Sequence, residues 1–148
     1  MPSVPGLRSP YTKVGRLVYF GRMLDKIRLH AAGKLPADYH ANLGRGFDGR
    51  CCNFLHVKYP DLTARVLQGG GADEILAWCH EQGGARTTEA CEVWNNFMTK
   101  RGWRDGSSET LQARIKEEKL EGGPIETFFD LIEYDEERDP VAAKAWLW

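Results

Sequence analysis

The sequence lacks several features that define common classes of protein. It contains no run of 18 consecutive apolar residues, so hydropathy predicts no membrane-spanning helix. Its first residues do not show the charged-then-apolar pattern of a secretory signal, and we therefore expect a cytoplasmic protein. The four cysteines include no Cys-x-x-Cys pair, which removes the most compact redox and metal-binding motifs. In the cytoplasm, the cysteines are expected to be reduced thiols.

The composition is that of a globular protein with an uneven distribution of charge. Of 148 residues, 42% are apolar, 28% charged and 11% aromatic, and the net charge is −1. Residues 1–70 contain 11 Lys and Arg against 4 Asp and Glu, whereas residues 71–148 contain 9 against 17. Two explanations are open: the halves pack together or expose separate solvated faces, or the basic half offers a surface to an anionic partner.

Helical spacing of apolar residues dominates the chain. Ser9 as N-cap and Pro10 at the first helical position predict a helix over residues 10–32, which Gly33 ends. Further helices are predicted near residues 51–59, 61–68, 73–82, 88–101, 108–121 and 125–132. The aromatic side chains at helical spacing are expected in the core, namely Trp78, Trp94, Phe97, Phe128 and Phe129.

Residues 34–50 contain one proline and several glycines, and they predict a long glycine-rich loop. No stretch alternates apolar and polar residues for long enough to predict a strand. The fold class is therefore predicted as all-α, a compact bundle of six or seven short helices. We expect a single domain over residues 1–148, with residues 1–9 and the C-terminal end extended or mobile.

Four segments resemble one bacterial family: Leu7-Arg8-Ser9-Pro10, the run from Arg22 to Arg28, the run from Ala31 to Pro36, and the run from Gly44 to Leu55. The family is known as domain of unknown function 5069. The resemblance extends from the first helix to about Trp103 and is most specific in the first 60 residues. It implies a small bacterial cytosolic protein, and it transfers no activity, substrate or catalytic residue.

Charged residues on the first helix give the first candidate site. At 100° per residue, Arg28 falls near the centre of the apolar arc, and Asp25 lies three residues before it on the same side. Arg22 and Lys26 fall on the opposite, polar side. Three alternatives are open for Arg28. It forms a buried ion pair with Asp25, its aliphatic side chain crosses the core so that the guanidinium reaches solvent, or it lines a pocket and binds a carboxylate or phosphate.

The segment Gly44-Arg45-Gly46-Phe47-Asp48-Gly49 gives the second candidate site. It matches the Gly-x-Gly-x-x-Gly pattern, but no strand precedes it, so a dinucleotide-binding fold is not predicted. Gly46 and Gly49 can let backbone N–H groups converge before a helix, and Arg45 and Arg50 add positive charge, which suits an anion. Alternatively, the glycines only permit a turn, or Asp48 accepts the same N–H groups and closes the segment without a ligand.

The thiols give a third, weaker hypothesis. Cys51 and Cys52 are predicted in the first turn of a helix beside an arginine, where a thiolate is favoured for nucleophilic or redox work. The alternative is that both are small buried residues. Cys52 and His56 share a helix face and could ligate a metal with the distant Cys79 or His80, but no second compact ligand pair supports this. No metal or cofactor is predicted.

The function predicted from these features is the binding of a small anionic ligand that carries phosphate or carboxylate. Its pocket is expected between the first helix and the glycine-rich loop, built from Asp25, Arg28, Arg45, Gly46, Gly49 and Arg50. The alternative is a non-enzymatic interaction module that docks an acidic protein or nucleic acid through the basic N-terminal half. Exposed Tyr11, Tyr19 or Tyr39 could then stack on bases. The sequence predicts neither a catalytic residue nor an oligomeric state.

Overall fold

Helices dominate the computed structural model, which describes residues 3–145. A short antiparallel hairpin of β1 (Lys13–Val14) and β2 (Leu17–Val18) precedes them. Eight α-helices and one 3-10 helix follow in this part of the chain: α1 (Phe20–Ala31), the 3-10 helix (Ala37–Asn42), α2 (Phe47–Leu55), α3 (Tyr59–Leu67), α4 (Ala72–Gly83), α5 (Thr88–Lys100), α6 (Ser108–Glu117), α7 (Phe128–Asp135) and α8 (Pro140–Lys144). Of the predicted all-α bundle, the compact and mostly helical character is confirmed, but residues 3–145 contain nine helices rather than six or seven, together with a small sheet that was not predicted.

The first predicted helix is wrong over its first ten residues, which contain the hairpin. Val14 pairs with Leu17 across a two-residue turn, in which Gly15 has a φ of 57°. A positive φ at the first turn residue is typical of glycine in tight hairpins. The Ser9 hydroxyl, predicted to cap a helix, instead accepts the N–H of Tyr11 at 3.0 Å.

The long loop predicted over residues 34–50 is also largely replaced by regular structure. The 3-10 helix occupies Ala37–Asn42 and α2 begins at Phe47, which leaves residues 43–46 as the connection. Gly44 and Gly46 take φ values of 74° and 54° in this connection. Gly49, predicted as part of the loop, lies inside α2, where an added Cβ would come within 3.3 Å of the Gly44 carbonyl oxygen.

Helix α1 is buried on all sides except in its last turn, and this decides where the candidate site lies. Every residue from Phe20 to Ile27 is buried, with α3 and β1 packed against the helix. Helix α5 packs against β2 and α7, and α2 packs against α3 and α4. Of the aromatic side chains predicted in the core, Trp94 and Phe129 are buried, Trp78 and Phe128 are half-buried, and Phe97 is 38% exposed.

The two ends of the described chain are attached to this core. Val4 and Leu7 are buried, and Arg8 binds α1. Near the other end, Lys144 of α8 lies 2.9 Å from the buried carboxylate of Asp130. The prediction of an extended or mobile C-terminal end falls partly on residues 146–148, which lie outside the described residues.

Candidate functional site

Lys26, assigned from the sequence to the solvent-facing side of α1, is buried in an ion pair. Its Nζ lies 3.0 and 3.1 Å from the carboxylate oxygens of Asp48, which is fully buried at the start of α2. The Tyr19 hydroxyl donates to the same carboxylate at 2.6 Å and accepts from Lys26 at 3.3 Å. Burial lowers the pKa of Lys26, although Asp48 acts against it, and burial raises the pKa of Tyr19 well above its usual value.

Arg22, assigned to the same polar side, is also buried and paired. Its two terminal nitrogens donate to the two carboxylate oxygens of Glu136 at 2.8 and 2.6 Å, a bidentate geometry. Tyr39 and Arg138 donate to the same carboxylate at 2.7 and 2.9 Å. Burial raises the pKa of Glu136, but these hydrogen bonds outweigh burial and hold that pKa below its ordinary value. The basic half of the chain therefore meets the acidic half inside the protein.

Of the three alternatives left open for Arg28, the pair with Asp25 does not form. Asp25 accepts three hydrogen bonds from Arg8, from its main-chain N–H at 3.0 Å and its guanidinium at 2.8 and 3.1 Å. Arg28 is half-buried and donates to the Gly70 carbonyl at 3.0 Å, beyond the end of α3. The amphipathic pattern assigns burial by helix face alone, whereas burial in α1 depends on position along the helix: residues 20–27 are buried on every side, and Arg28 lies in the last turn, which is only partly covered.

A cleft of about 740 Å³ opens above the two buried ion pairs. Tyr19, Arg22, Lys26 and Glu136 line its floor. Its walls come mostly from the 3-10 helix, the start of α2, α6 and α7. The wall residues are Asp38, Tyr39, Asn42, Arg45, Gly46, Phe47, Arg50, Arg101, Ser107, Thr110, Arg114, Glu118, Phe128, Leu131, Ile132 and Asp135. Of the predicted site residues, the structure brings Arg45, Gly46 and Arg50 together at this cleft, and Asp25, Arg28 and Gly49 do not line it.

The cleft walls carry four arginines from separate segments of the chain. Arg45 precedes α2, Arg50 lies on α2, Arg101 follows α5 and Arg114 lies on α6. Arg101 lies 3.4 Å from Asp105. Within residues 3–145, Arg45, Arg50 and Arg114 form no ion pair, whereas both cations of the floor are paired. The walls therefore hold three guanidinium groups without an ion pair among the described residues, although Asp38, Glu118 and Asp135 also line the cleft and Arg114 acts electrostatically on Glu118.

The backbone of the glycine segment is not free to bind an anion at every position. The carboxylate of Asp48 accepts the N–H of Gly44 at 3.0 Å, which is the closure without a ligand that the sequence left as an alternative. Gly46 still lines the cleft, ahead of the first turn of α2. The cleft therefore offers arginine side chains as donors rather than a nest of N–H groups.

Tyr19 holds a strained backbone at the cleft floor. Its φ of 72° lies in the left-handed region, which costs a residue other than glycine about 1–3 kcal/mol. Its ring packs against Phe47 and Phe129 with centroids 5.6 and 5.9 Å away. Tyr19 is 3% exposed and Tyr11 is 1% exposed, so neither offers a free ring for stacking on bases. Tyr39 is half-buried and lines the cleft.

The thiol hypothesis finds no support in the environment of the cysteines. Cys51 and Cys52 are buried in α2, and burial raises the pKa of Cys51 well above its ordinary value and that of Cys52 to about 12. A raised pKa disfavours the thiolate that nucleophilic or redox chemistry requires. Among residues 3–145, no group of three or more histidine, cysteine or acidic residues is arranged to hold a metal ion.

These features define a mostly helical protein with an arginine-lined cleft above buried ion pairs. In the described part of the chain, no helix combines the length and the apolar character needed to span a membrane. Residues 4–138 match the family described as Domain of unknown function (DUF5069), and the chain belongs to that family. This confirms the family resemblance drawn from the sequence. No curated protein gives a significant match to the chain.

Proposed function

We propose that the cleft binds a small anionic ligand that carries phosphate or carboxylate groups. The observation that carries this proposal is the contrast between two sets of cations. Arg22 and Lys26 at the floor are paired, whereas Arg45, Arg50 and Arg114 on the walls form no ion pair within residues 3–145. Guanidinium groups match the geometry of carboxylate and phosphate oxygens and bind them with paired hydrogen bonds.

The size and the floor of the cleft support a small ligand. A volume of about 740 Å³ lies in the range of pockets that enclose metabolites. The paired floor presents an ordered, polar surface, because Lys26 and Asp48 hold each other and Arg22 is held by Glu136. A ligand that enters this cleft would exchange water for preformed donors and would not have to order the floor.

The alternative, an interaction module that docks an acidic protein or nucleic acid, has few free basic or aromatic side chains available. Of the basic residues in the N-terminal half, Arg8, Arg22 and Lys26 are engaged with carboxylates inside the protein. Two of the three tyrosines proposed for base stacking, Tyr11 and Tyr19, are buried. We therefore place the anion in the cleft rather than on an extended surface.

The proposal is tested by thermal unfolding in the presence of phosphorylated and carboxylated metabolites, followed by calorimetric titration of those that stabilise. A ligand at a hundredfold excess over its Kd stabilises by about 2.7 kcal/mol, which raises the Tm by about 5–10 °C for a chain of this length. Arg45→Ala and Arg50→Ala are expected to weaken binding of the same ligand about tenfold each, because each removes charge-assisted hydrogen bonds.

Lys116→Ala provides the matched control. Lys116 is exposed on α6, two residues from Arg114, and does not line the cleft, so the variant removes one positive charge without changing the cleft walls. It is expected to bind like the unmodified protein. Equal loss in Lys116→Ala and in both cleft variants would show unspecific attraction of anions and would contradict the proposal. Binding of nucleic acid in place of any small anion would favour the interaction module.

A further inference from the structure

Phe97 on α5 is a partly exposed aromatic residue, and two arginines of the cleft lie near its ring. The guanidinium carbon of Arg50 lies 5.1 Å from its ring centroid, and that of Arg101 lies 5.3 Å from the same centroid. Both distances are within the range of cation–π attraction. Phe97 is 38% exposed and is not among the residues that line the cleft, whereas both arginines are.

This arrangement holds two like charges close together at one side of the cleft. Because each guanidinium lies about 5 Å from one centroid, the two carbons are no more than about 10 Å apart. Two cations within that distance repel each other, and attraction of each to the ring partly offsets that repulsion. Such a pair is preorganised for an anion, because a ligand that bridges the two groups does not have to collect them from solvent.

The partners of the two arginines indicate how they would share a ligand. The main-chain carbonyl of Arg101 accepts the N–H of Phe128 at 2.9 Å, which fixes this segment to α7. Its guanidinium is 3.4 Å from Asp105, a contact in which both side chains are partly exposed. Arg50 is exposed on α2 and has the ring as its partner among the described residues. Each guanidinium therefore keeps donors for an anionic group.

We propose that Arg50 and Arg101, positioned by Phe97, form a double-anion subsite and that the ligand carries two neighbouring phosphate-type groups, as in a diphosphate. This inference rests on the proposed function and specifies its ligand class. A single phosphate can accept paired hydrogen bonds from both guanidinium groups only where they converge, whereas two linked groups can each take one guanidinium at the separations of up to about 10 Å that the ring allows. Phe97 is a positioning residue, since it acts through the two arginines.

Calorimetric titration with inorganic phosphate and inorganic pyrophosphate tests the subsite. The quantity compared is the ratio of the two Kd values in each protein. In the unmodified protein, pyrophosphate is expected to bind at least about tenfold more tightly than phosphate. Arg101→Ala is expected to lose most of this preference. Lys100→Ala, which removes the adjacent exposed charge outside the cleft, is expected to retain it.

Substitutions at Phe97 separate positioning from folding. Phe97→Leu is expected to reduce the preference for pyrophosphate about threefold to tenfold, and Phe97→Tyr to restore it, because tyrosine keeps a ring face for both cations. Thermal unfolding of both variants checks that the fold is intact. An unchanged ratio in Arg101→Ala, or the same ratio in the leucine and tyrosine variants, would overturn the subsite.

The failure of this inference is distinguishable from failure of the proposed function. If phosphate and pyrophosphate bind equally, and Arg45→Ala weakens both, the double-anion subsite is refuted while anion binding in the cleft stands. If neither anion binds and no phosphorylated or carboxylated metabolite stabilises the protein, both proposals are refuted.

Discussion

The buried pair of Arg22 and Glu136 predicts an asymmetric effect of substitution. Glu136 accepts from Arg22, Tyr39 and Arg138, so it keeps two donors when Arg22 is replaced. Arg22, with a side chain 4% exposed, has Glu136 and one contact of 3.1 Å to the Arg8 carbonyl. Removing the carboxylate therefore leaves a buried charge without its counter-ion, whereas removing the guanidinium leaves a carboxylate that still has partners.

The magnitudes follow from the partners that remain. Glu136→Gln is expected to lower the free energy of unfolding by about 3–5 kcal/mol, the usual cost of leaving a buried charge unpaired. Arg22→Met is expected to cost about 1–3 kcal/mol, because hydrogen bonds from two other donors persist. With a urea m-value of about 2 kcal/mol/M, the midpoint would fall by about 2 M and by about 1 M, respectively.

Urea unfolding followed by circular dichroism measures both variants and the double variant. The double variant is expected to cost less than the sum of the single ones, because the two residues interact directly. Equal costs, or a larger cost for Arg22→Met, would refute the account of the pair. Where the m-value differs between variants, the free energies of unfolding extrapolated to water are compared instead of the midpoints.

Further predictions concern pH, the thiols and one glycine. The pKa of Glu136 is lowered in the folded protein, so the stability that its carboxylate contributes is present above the unfolded pKa of about 4.3 and is lost as pH falls through the folded value. The difference in free energy of unfolding between the unmodified protein and Glu136→Gln should therefore shrink below pH 4. A constant difference would contradict this. Cys51 and Cys52 should react with iodoacetamide at pH 7 only after the protein is unfolded in urea, because burial raises both pKa values. Labelling is measured by mass spectrometry, and rapid labelling of the folded protein would support the thiolate hypothesis. Gly83→Ala should cost about 1–3 kcal/mol, because its Cβ would clash with the main-chain carbonyl oxygen of Leu55 at the end of α2. Gly71→Ala, which has open space at the Cβ position, is the control in the same urea experiment, and equal midpoints would refute the close approach.

Much of the helical architecture could be predicted from the sequence because apolar spacing and glycine stops act locally. The hairpin at residues 13–18 was missed because its strands have two residues each, too few to show alternation. A usable signal was present in Gly15-Arg16 between the apolar residues Val14 and Leu17, since Gly-x is a frequent two-residue hairpin turn. The predicted helix ran through it because Ser9-Pro10 resembles a helix start.

The candidate site was only partly predictable. Arg45 and Arg50 were placed near an anion because they flank a glycine segment ahead of a helix, and this is a local pattern. Arg101 and Arg114 reach the cleft only through the packing of α5 and α6, which no spacing in the sequence expresses. Lys26 was misassigned because helical periodicity equates charge with exposure, and that rule fails where a partner from another helix completes a buried pair.

The contacts that join the two ends of the chain bear on how the protein folds. Tyr11 bonds to Asp130 across 119 residues, Arg22 to Glu136 across 114, and Arg138 to the Leu7 carbonyl across 131. Closing loops of this length costs conformational entropy before the contacts can stabilise the fold. Folding should therefore be slower than in a helical protein with mainly local contacts. Because the cleft floor uses α1 together with Glu136, the floor is completed only when those closures form. Binding of the proposed anionic ligand would therefore be possible only after the two ends of the chain have come together.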